Sequence, residues 1–209
     1  MQIKTDALSY WFFRLNGFLT SVNFVVHTER RGEAGTDVDL LGVRFPYRAE
    51  LFGRTMTDHR EFTKITTRPY IAIVEVKRGL CDLNGPWTTI ERRIVDRILR
   101  AVGVLPIEDV QTVAESIYSD GFFMNCAIYV SLVCVGEEKN PEIHRRYPSV
   151  PQILWPDILS FIFIRFRKYQ KVKSWHQHWD PDGQKLWDCF EAARGDEKKF
   201  IRAIEISPN

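Results

Sequence analysis

Residues 70–77, YIAIVEVK, constrain this chain more than any other segment. Tyr, Ile and Val in an unbroken apolar run of this length read as a β-strand buried in a core rather than one lying on a surface. The run ends in Glu75-Val76-Lys77. Side chains alternate along a strand, so Glu75 and Lys77 point to one side, about 7 Å apart by strand rise. Burying an uncompensated charge is costly, so ionisable groups so close to a buried strand need partners or a task.

The flanking sequence supplies a sheet for this strand. Residues 7–19 place Leu8, Trp11, Phe12, Leu15, Phe18 and Leu19 at helical spacing. The β-branched stretch 22–26 predicts a strand. Residues 36–43 predict another, carrying Asp37 and Asp39 on one face. Residues 45–69 form a long basic excursion, and long loops in compact domains are often functional. Beyond the central strand, Gly79 and Asn84-Gly85-Pro86 break the chain. Thr88-Thr89-Ile90-Glu91 fits a capping box opening a helix to Val102, with Gly103 as terminator. A weaker helix over 107–118 and a strand over 122–135 follow, the latter holding Cys126 and Cys134 as small buried residues. After the prolines between Pro141 and Pro151, Trp155, Ile158, Leu159, Ile162, Phe166 and Tyr169 mark a longer helix, with short helices at 184–193 and 197–204. The fold expected is α/β: a core of helix, three strands, helix and strand over residues 1–140, with a helical extension over 141–209 packed on it.

Composition narrows the function classes. The chain has 209 residues, enough for one well-buried core, and its 44% hydrophobic and 27% charged residues are those of an ordinary globular protein. No apolar run is long enough to cross a bilayer, and a cytoplasmic location without membrane contact is expected. Four cysteines with no CxxC spacing argue against a zinc or iron–sulfur site. There is no glycine-rich phosphate loop of the P-loop or dinucleotide type, which argues against a nucleotide-binding enzyme.

The chemistry rests on Asp39, Glu75 and Lys77. On paired strands Asp39 and Glu75 would share Mg2+ or Mn2+, since such a cation needs one or two carboxylates and completes its shell with water and substrate oxygens. The carbonyl of Val76, between the two functional side chains, is a further candidate ligand. Lys77 would orient an attacking water or offset developing negative charge. The plainer reading of the same residues is a Glu75–Lys77 surface pair, with Asp39 capping a turn.

Asp39 followed by Leu40-Leu41-Gly42-Val43, then Glu75-Val76-Lys77 closing the next strand, resembles the PD-(D/E)xK nuclease superfamily, as does the element order over residues 7–136. That resemblance implies a restriction-endonuclease-like core and a metal-dependent hydrolase cutting DNA phosphodiester bonds, with Asp39, Glu75 and Lys77 catalytic and Asp39, Glu75 and Val76 at the metal. Two departures stand out. Val38 occupies the place of the usual proline, and residues 7–19 contain no Glu where many members carry one on the first helix; Glu29 or Glu33 would have to substitute. Shorter segments, Leu15-Asn16-Gly17-Phe18, Asp39-Leu40-Leu41-Gly42-Val43-Arg44-Phe45-Pro46 and Leu83-Asn84-Gly85-Pro86-Trp87, are similar to those of a family of uncharacterised bacterial proteins.

Charge surrounds the proposed site. From Arg44 to Arg78 there are eight Lys or Arg against four acids, a local excess of +4, and Arg44, Arg48, Arg78 and Asn84 are candidate DNA contacts. Residues 165–175 hold five basic residues and no acid, interleaved with aromatics. They read either as a second nucleic-acid surface or as an amphipathic helix with a buried aromatic face. His176 and His178, without a defined third ligand, do not make a metal site. DNA is the expected partner, a homodimer is compatible with cutting a duplex, and the alternative function is a weak or inactive nuclease-fold module that binds DNA or protein.

Overall fold

A computed structural model describes residues 1–27, 36–49, 57–174 and 180–208. In chain order, β1 (Gln2–Lys4) leads into α1 (Thr5–Leu15), and β2 (Phe18–Val26) and β3 (Thr36–Arg44) form a hairpin. The short α2 (Arg60–Thr63) precedes β4 (Tyr70–Val76). α3 (Gly85–Thr88), α4 (Ile94–Val102) and α5 (Val110–Asp120) then lead to β5 (Phe122–Met124) and β6 (Tyr129–Gly136). α6 (Pro141–Arg146), β7 (Gln152–Leu154), α7 (Trp155–Lys173), α8 (Pro181–Ala193), α9 (Glu197–Ala203) and β8 (Glu205–Ser207) complete the described chain.

All seven residues of β4 are buried, and the strand lies inside a six-stranded mixed sheet ordered β2-β3-β4-β6-β5, with β7 also on β6. β2, β3 and β4 run antiparallel, while β4 and β6 run parallel. A parallel neighbour requires a crossover, and α4 and α5 provide it. β1 pairs with β8 in a separate two-stranded ladder.

Alternation along β4 divides the core in two. Tyr70, Ala72, Val74 and Val76 pack with α1, α7, α8 and α9 through residues such as Phe12, Ile158, Phe166 and Trp187. Ile71 and Ile73 pack with Trp87, Ile98, Leu99, Val113 and Ile117 from α3, α4 and α5. The sheet is therefore covered on both faces, which explains why β4 and β6 are apolar throughout.

Several element boundaries differ from the sequence expectation. α1 starts at Thr5 and stops at Leu15, and Phe18 and Leu19 belong to β2. The periodicity over 7–19 continued into the strand because Phe18 is buried in the same core layer as Phe12 and Phe13. Gly17, at φ 81, makes the turn, and a Cβ there would collide with the Arg48 guanidinium. The stretch 122–135 is two strands, β5 and β6, paired antiparallel, and Cys126 in their connection is exposed rather than buried. No capping box forms at Thr88–Glu91: α3 ends there, a 3-10 turn covers Ile90–Arg92, and Arg93 at φ 51 separates that turn from α4.

Three arginines meet on one carboxylate at Asp58. Asp58 accepts from Arg44 Nη2 at 2.6 Å, Arg165 Nη2 at 2.7 Å and Arg48 Nη1 at 3.1 Å. The Arg44 guanidinium also donates from Nε to the Asn16 carbonyl. Arg165 is fully buried and its guanidinium lies over the Phe161 ring. Phe166 and Tyr169 are likewise buried, so this face of residues 165–169 is core. Glu29, Glu33 and the His176–His178 stretch lie outside the described residues. No described helix is long and apolar enough to cross a membrane.

Removing one member of a buried ion cluster leaves the remaining charges without compensation. Asp58→Ala is therefore expected to destabilise the fold by about 3–5 kcal/mol, read from urea denaturation midpoints. A change within the noise of a surface substitution would show that the cluster does not hold this region.

Candidate metal centre at the end of the central strand

The site forms where β3 separates from β4. The last registered pair of these strands is Leu40 with Val74, so Asp39 and Glu75 occupy the next facing step of the same antiparallel register. On the other side of β3, Val22 pairs with Leu40 and Phe24 with Val38, while the intervening step, Asn23 opposite Asp39, is skipped. Asn23 has φ 51, a left-handed conformation that Asn tolerates better than most residues. Leu40 packs in the α1 layer and Val38 in the α4 layer, although residues two apart on a regular strand share a face. The hairpin thus turns over at Asn23 and Asp39, and Asp39 is taken out of the ladder.

Freed from the ladder, the half-buried Asp39 carboxylate does a strand's work in another way. Its Oδ2 accepts the Val76 N–H at 2.7 Å. The next amide, Lys77 N–H, donates to Val135 of β6. Amides alternate direction along a strand, so Val76 N–H points toward β3, and the Asp39 side chain fills the place of a β3 carbonyl. The contact that Val76 makes here is through its N–H.

Glu75 lies on the α3–α4 face and is 5% exposed. Its Oε1 accepts from Lys77 Nζ and Asn84 Nδ2, each at 2.6 Å, and its Oε2 accepts from Trp87 Nε1 at 2.6 Å. Asn84 stands at the N-cap of α3 but makes no capping bond with its side chain. Its amide is turned to Glu75 instead. Glu75 and Lys77 do share a side, as alternation requires, and they form a part-buried pair in which Glu75 is buried and Lys77 half-buried.

Asp6 adds a third carboxylate that the sequence reading placed outside the first helix. Because α1 begins at Thr5, Asp6 sits in its first turn, and its charge bears on Asp39. The Asp39 pKa is pushed up to about 6, first by burial, while the Val76 N–H pulls it down. The charges of Glu75 and Asp6 push it up further, and Lys77 partly offsets them. Asp6 also lines a cleft of about 370 Å³ with Lys4, Tyr10, Asn23, Asp180 and Asp182. A larger cleft of about 660 Å³ contains none of these acids.

Asp39 and Glu75 are carboxylates on two adjacent strands with no thiolate or imidazole beside them, the hard oxygen chemistry that Mg2+ takes from one or two protein ligands. Among the described residues, no three His, Cys, Asp or Glu side chains converge into a preformed cage. Mg2+ needs no such cage, since it keeps several waters and takes one or two carboxylates.

Of the four residues expected to face nucleic acid, Arg44 is buried and Arg48 is tied with it to Asp58. Asn84 is exposed but engaged with Glu75, and Arg78 is exposed directly beyond Lys77. The residues missed from sequence are Asp6, Trp87 and Asn23. Asp6 would have been found by starting the helix two residues earlier; the other two depend on tertiary packing. Comparison with protein-family models, with curated proteins and with solved structures finds no match.

An acid whose pKa rises on folding binds its proton more tightly in the native state, so stability falls as pH rises through the window from about 3.8 to about 6. Asp39→Asn keeps an acceptor for Val76 N–H and removes the charge. The variant should unfold at higher urea than the wild type at pH 7.5, and the difference should vanish below pH 4. Equal midpoints at pH 7.5 would show that the Asp39 charge carries no folding cost.

Proposed function

We propose that this chain is a metal-dependent nuclease of the PD-(D/E)xK type, hydrolysing DNA phosphodiester bonds with Mg2+ or Mn2+. The observation that carries the reading is the placement of Asp39 and Glu75 at facing positions where two antiparallel strands part, with Lys77 on the face of Glu75. The order α1, β2–β3–β4, the α4–α5 crossover and β6 parallel to β4 agrees with a restriction-endonuclease-like core. Asp6, in the first turn of α1, gives the first helix an acid, where many members of that superfamily carry Glu.

In this reading Asp39 and Glu75 hold the cation, with Asp6 acting through water or directly, and the Val76 carbonyl as a further ligand. When bound, the cation supplies Lewis acidity and lowers the pKa of a coordinated water. Lys77 would donate to the attacking water or to a non-bridging phosphate oxygen, which would fix the line of attack and offset negative charge in the transition state. The attacking water would release a proton to solvent as its oxygen bonds to phosphorus, one P–O ester bond would break, and the departing alkoxide would take a proton from solvent. Arg78, exposed beside Lys77, contacts the adjacent phosphate.

One observation favours the second reading, a module that binds DNA or protein without cutting it: Lys77 is spent on Glu75 at 2.6 Å. The two readings separate in one assay. Linear, circular and branched DNA, and RNA, are incubated with the protein and Mg2+, Mn2+ or chelator. Cleavage that needs the cation is expected, with Asp39→Ala inactive and Lys77→Ala slowed about 100- to 1000-fold. Asp6→Asn should also slow it. Lack of metal-dependent cleavage by the wild type removes the nuclease; cleavage by both Asp39→Ala and Lys77→Ala removes this site.

A further inference from the structure

The two oxygens of Glu75 are in different circumstances. Oε2 is bonded to Trp87 Nε1 at 2.6 Å, and Trp87 is 1% exposed, packed among Ile71, Ile73, Val95 and Ile98. An indole N–H is a donor only, and turning it away would leave both it and Oε2 buried without a partner. Oε1 is bonded to Lys77, whose side chain is 29% exposed, and to the exposed Asn84. One oxygen therefore faces into the protein on a fixed partner. The other faces outward on partners that solvent reaches.

We propose that Trp87 is a positioning residue that restricts Glu75 to one-oxygen coordination through Oε1, and so selects a small octahedral cation against Ca2+. This rests on the reading of Glu75 as a metal ligand. Ca2+ takes 6–8 oxygens and readily accepts a carboxylate through both of them; Mg2+ and Mn2+ hold near-octahedral shells to which a carboxylate gives one oxygen. With Oε2 committed to the indole, two-oxygen chelation would require breaking a buried hydrogen bond and moving a core tryptophan. One-oxygen binding requires only that a solvent-reached donor on Oε1 give way.

The test reads the indole directly in the intact protein. The Trp87 N–H resonance is assigned by its loss in Trp87→Phe, and Glu75→Gln gives the position of the indole without a carboxylate acceptor. On saturation with Mg2+ the wild-type resonance should keep its carboxylate-bonded position. Movement to the Glu75→Gln position means that Oε2 has gone to the cation and overturns the proposal. In parallel, Mn2+ and Ca2+ affinities are measured by calorimetry on wild type and Trp87→Phe. Loss of a partner that orients a ligand typically lowers metal affinity about 10-fold or more. Mn2+ binding should weaken by that factor in Trp87→Phe while Ca2+ binding is unchanged or tighter. Equal ratios of the two affinities in both proteins overturn the proposal with the metal site intact. Absence of Mn2+ binding by the wild type removes the metal reading and this inference with it.

Discussion

A carboxylate at the end of a strand that is covered on both faces must be given donors, because an ionised group without them costs several kcal/mol in such a place. β4 is that strand, and Glu75 is that carboxylate. Three donors reach it: Lys77 from the residue directly after the strand, and Asn84 and Trp87 from the segment beyond. The path of residues 79–88 follows from this need. The chain leaves β4 and bridges to Glu138 through Leu80. It then places α3 against the sheet so that Trp87 is both a core side chain and a hydrogen-bond donor.

Asp39 solves the opposite problem. Val76 N–H points toward β3 at a step where β3 no longer supplies a carbonyl, and Asp39 supplies a side-chain oxygen instead. The left-handed Asn23 and the change of face between Val38 and Leu40 are the local cost of releasing Asp39 from the ladder. The outcome is a half-buried Asp39 whose pKa is pushed up to about 6, first by burial and then by the charges of Glu75 and Asp6, with the Val76 N–H and Lys77 as partial compensation. Carboxyl groups whose titration is shifted by burial and neighbouring charge are enriched at sites of function.

The charge pattern illustrates how composition and structure part company. A local excess of +4 between Arg44 and Arg78 reads as a surface for phosphates. Two of those arginines are instead turned onto Asp58, together with Arg165 from more than a hundred residues away. Counting charges along a chain gives their number and not their partners, and a carboxylate that draws three guanidiniums shifts the basic residues available to a ligand toward Arg78 and its neighbours.

The buried central strand, the alternation that puts Glu75 and Lys77 on one side, the strand carrying Asp39 and the long helix over 155–173 were all legible in residue order, because each rests on a period of two or 3.6 within a short segment. Their meeting was legible only as an expectation. Asp6 was left off the first helix because the apolar period begins only at Leu8, whereas α1 starts at Thr5. β5 and β6 looked like one strand because a tight connection interrupts an apolar run without changing its composition. Trp87 and Asn84 on Glu75, Asp39 on Val76 N–H, and Arg165 on Asp58 join residues 9 to 107 positions apart that share no period. Hydrogen-bond partners of buried polar groups are chosen by which elements the sheet brings together, so they became visible only when the chain was folded.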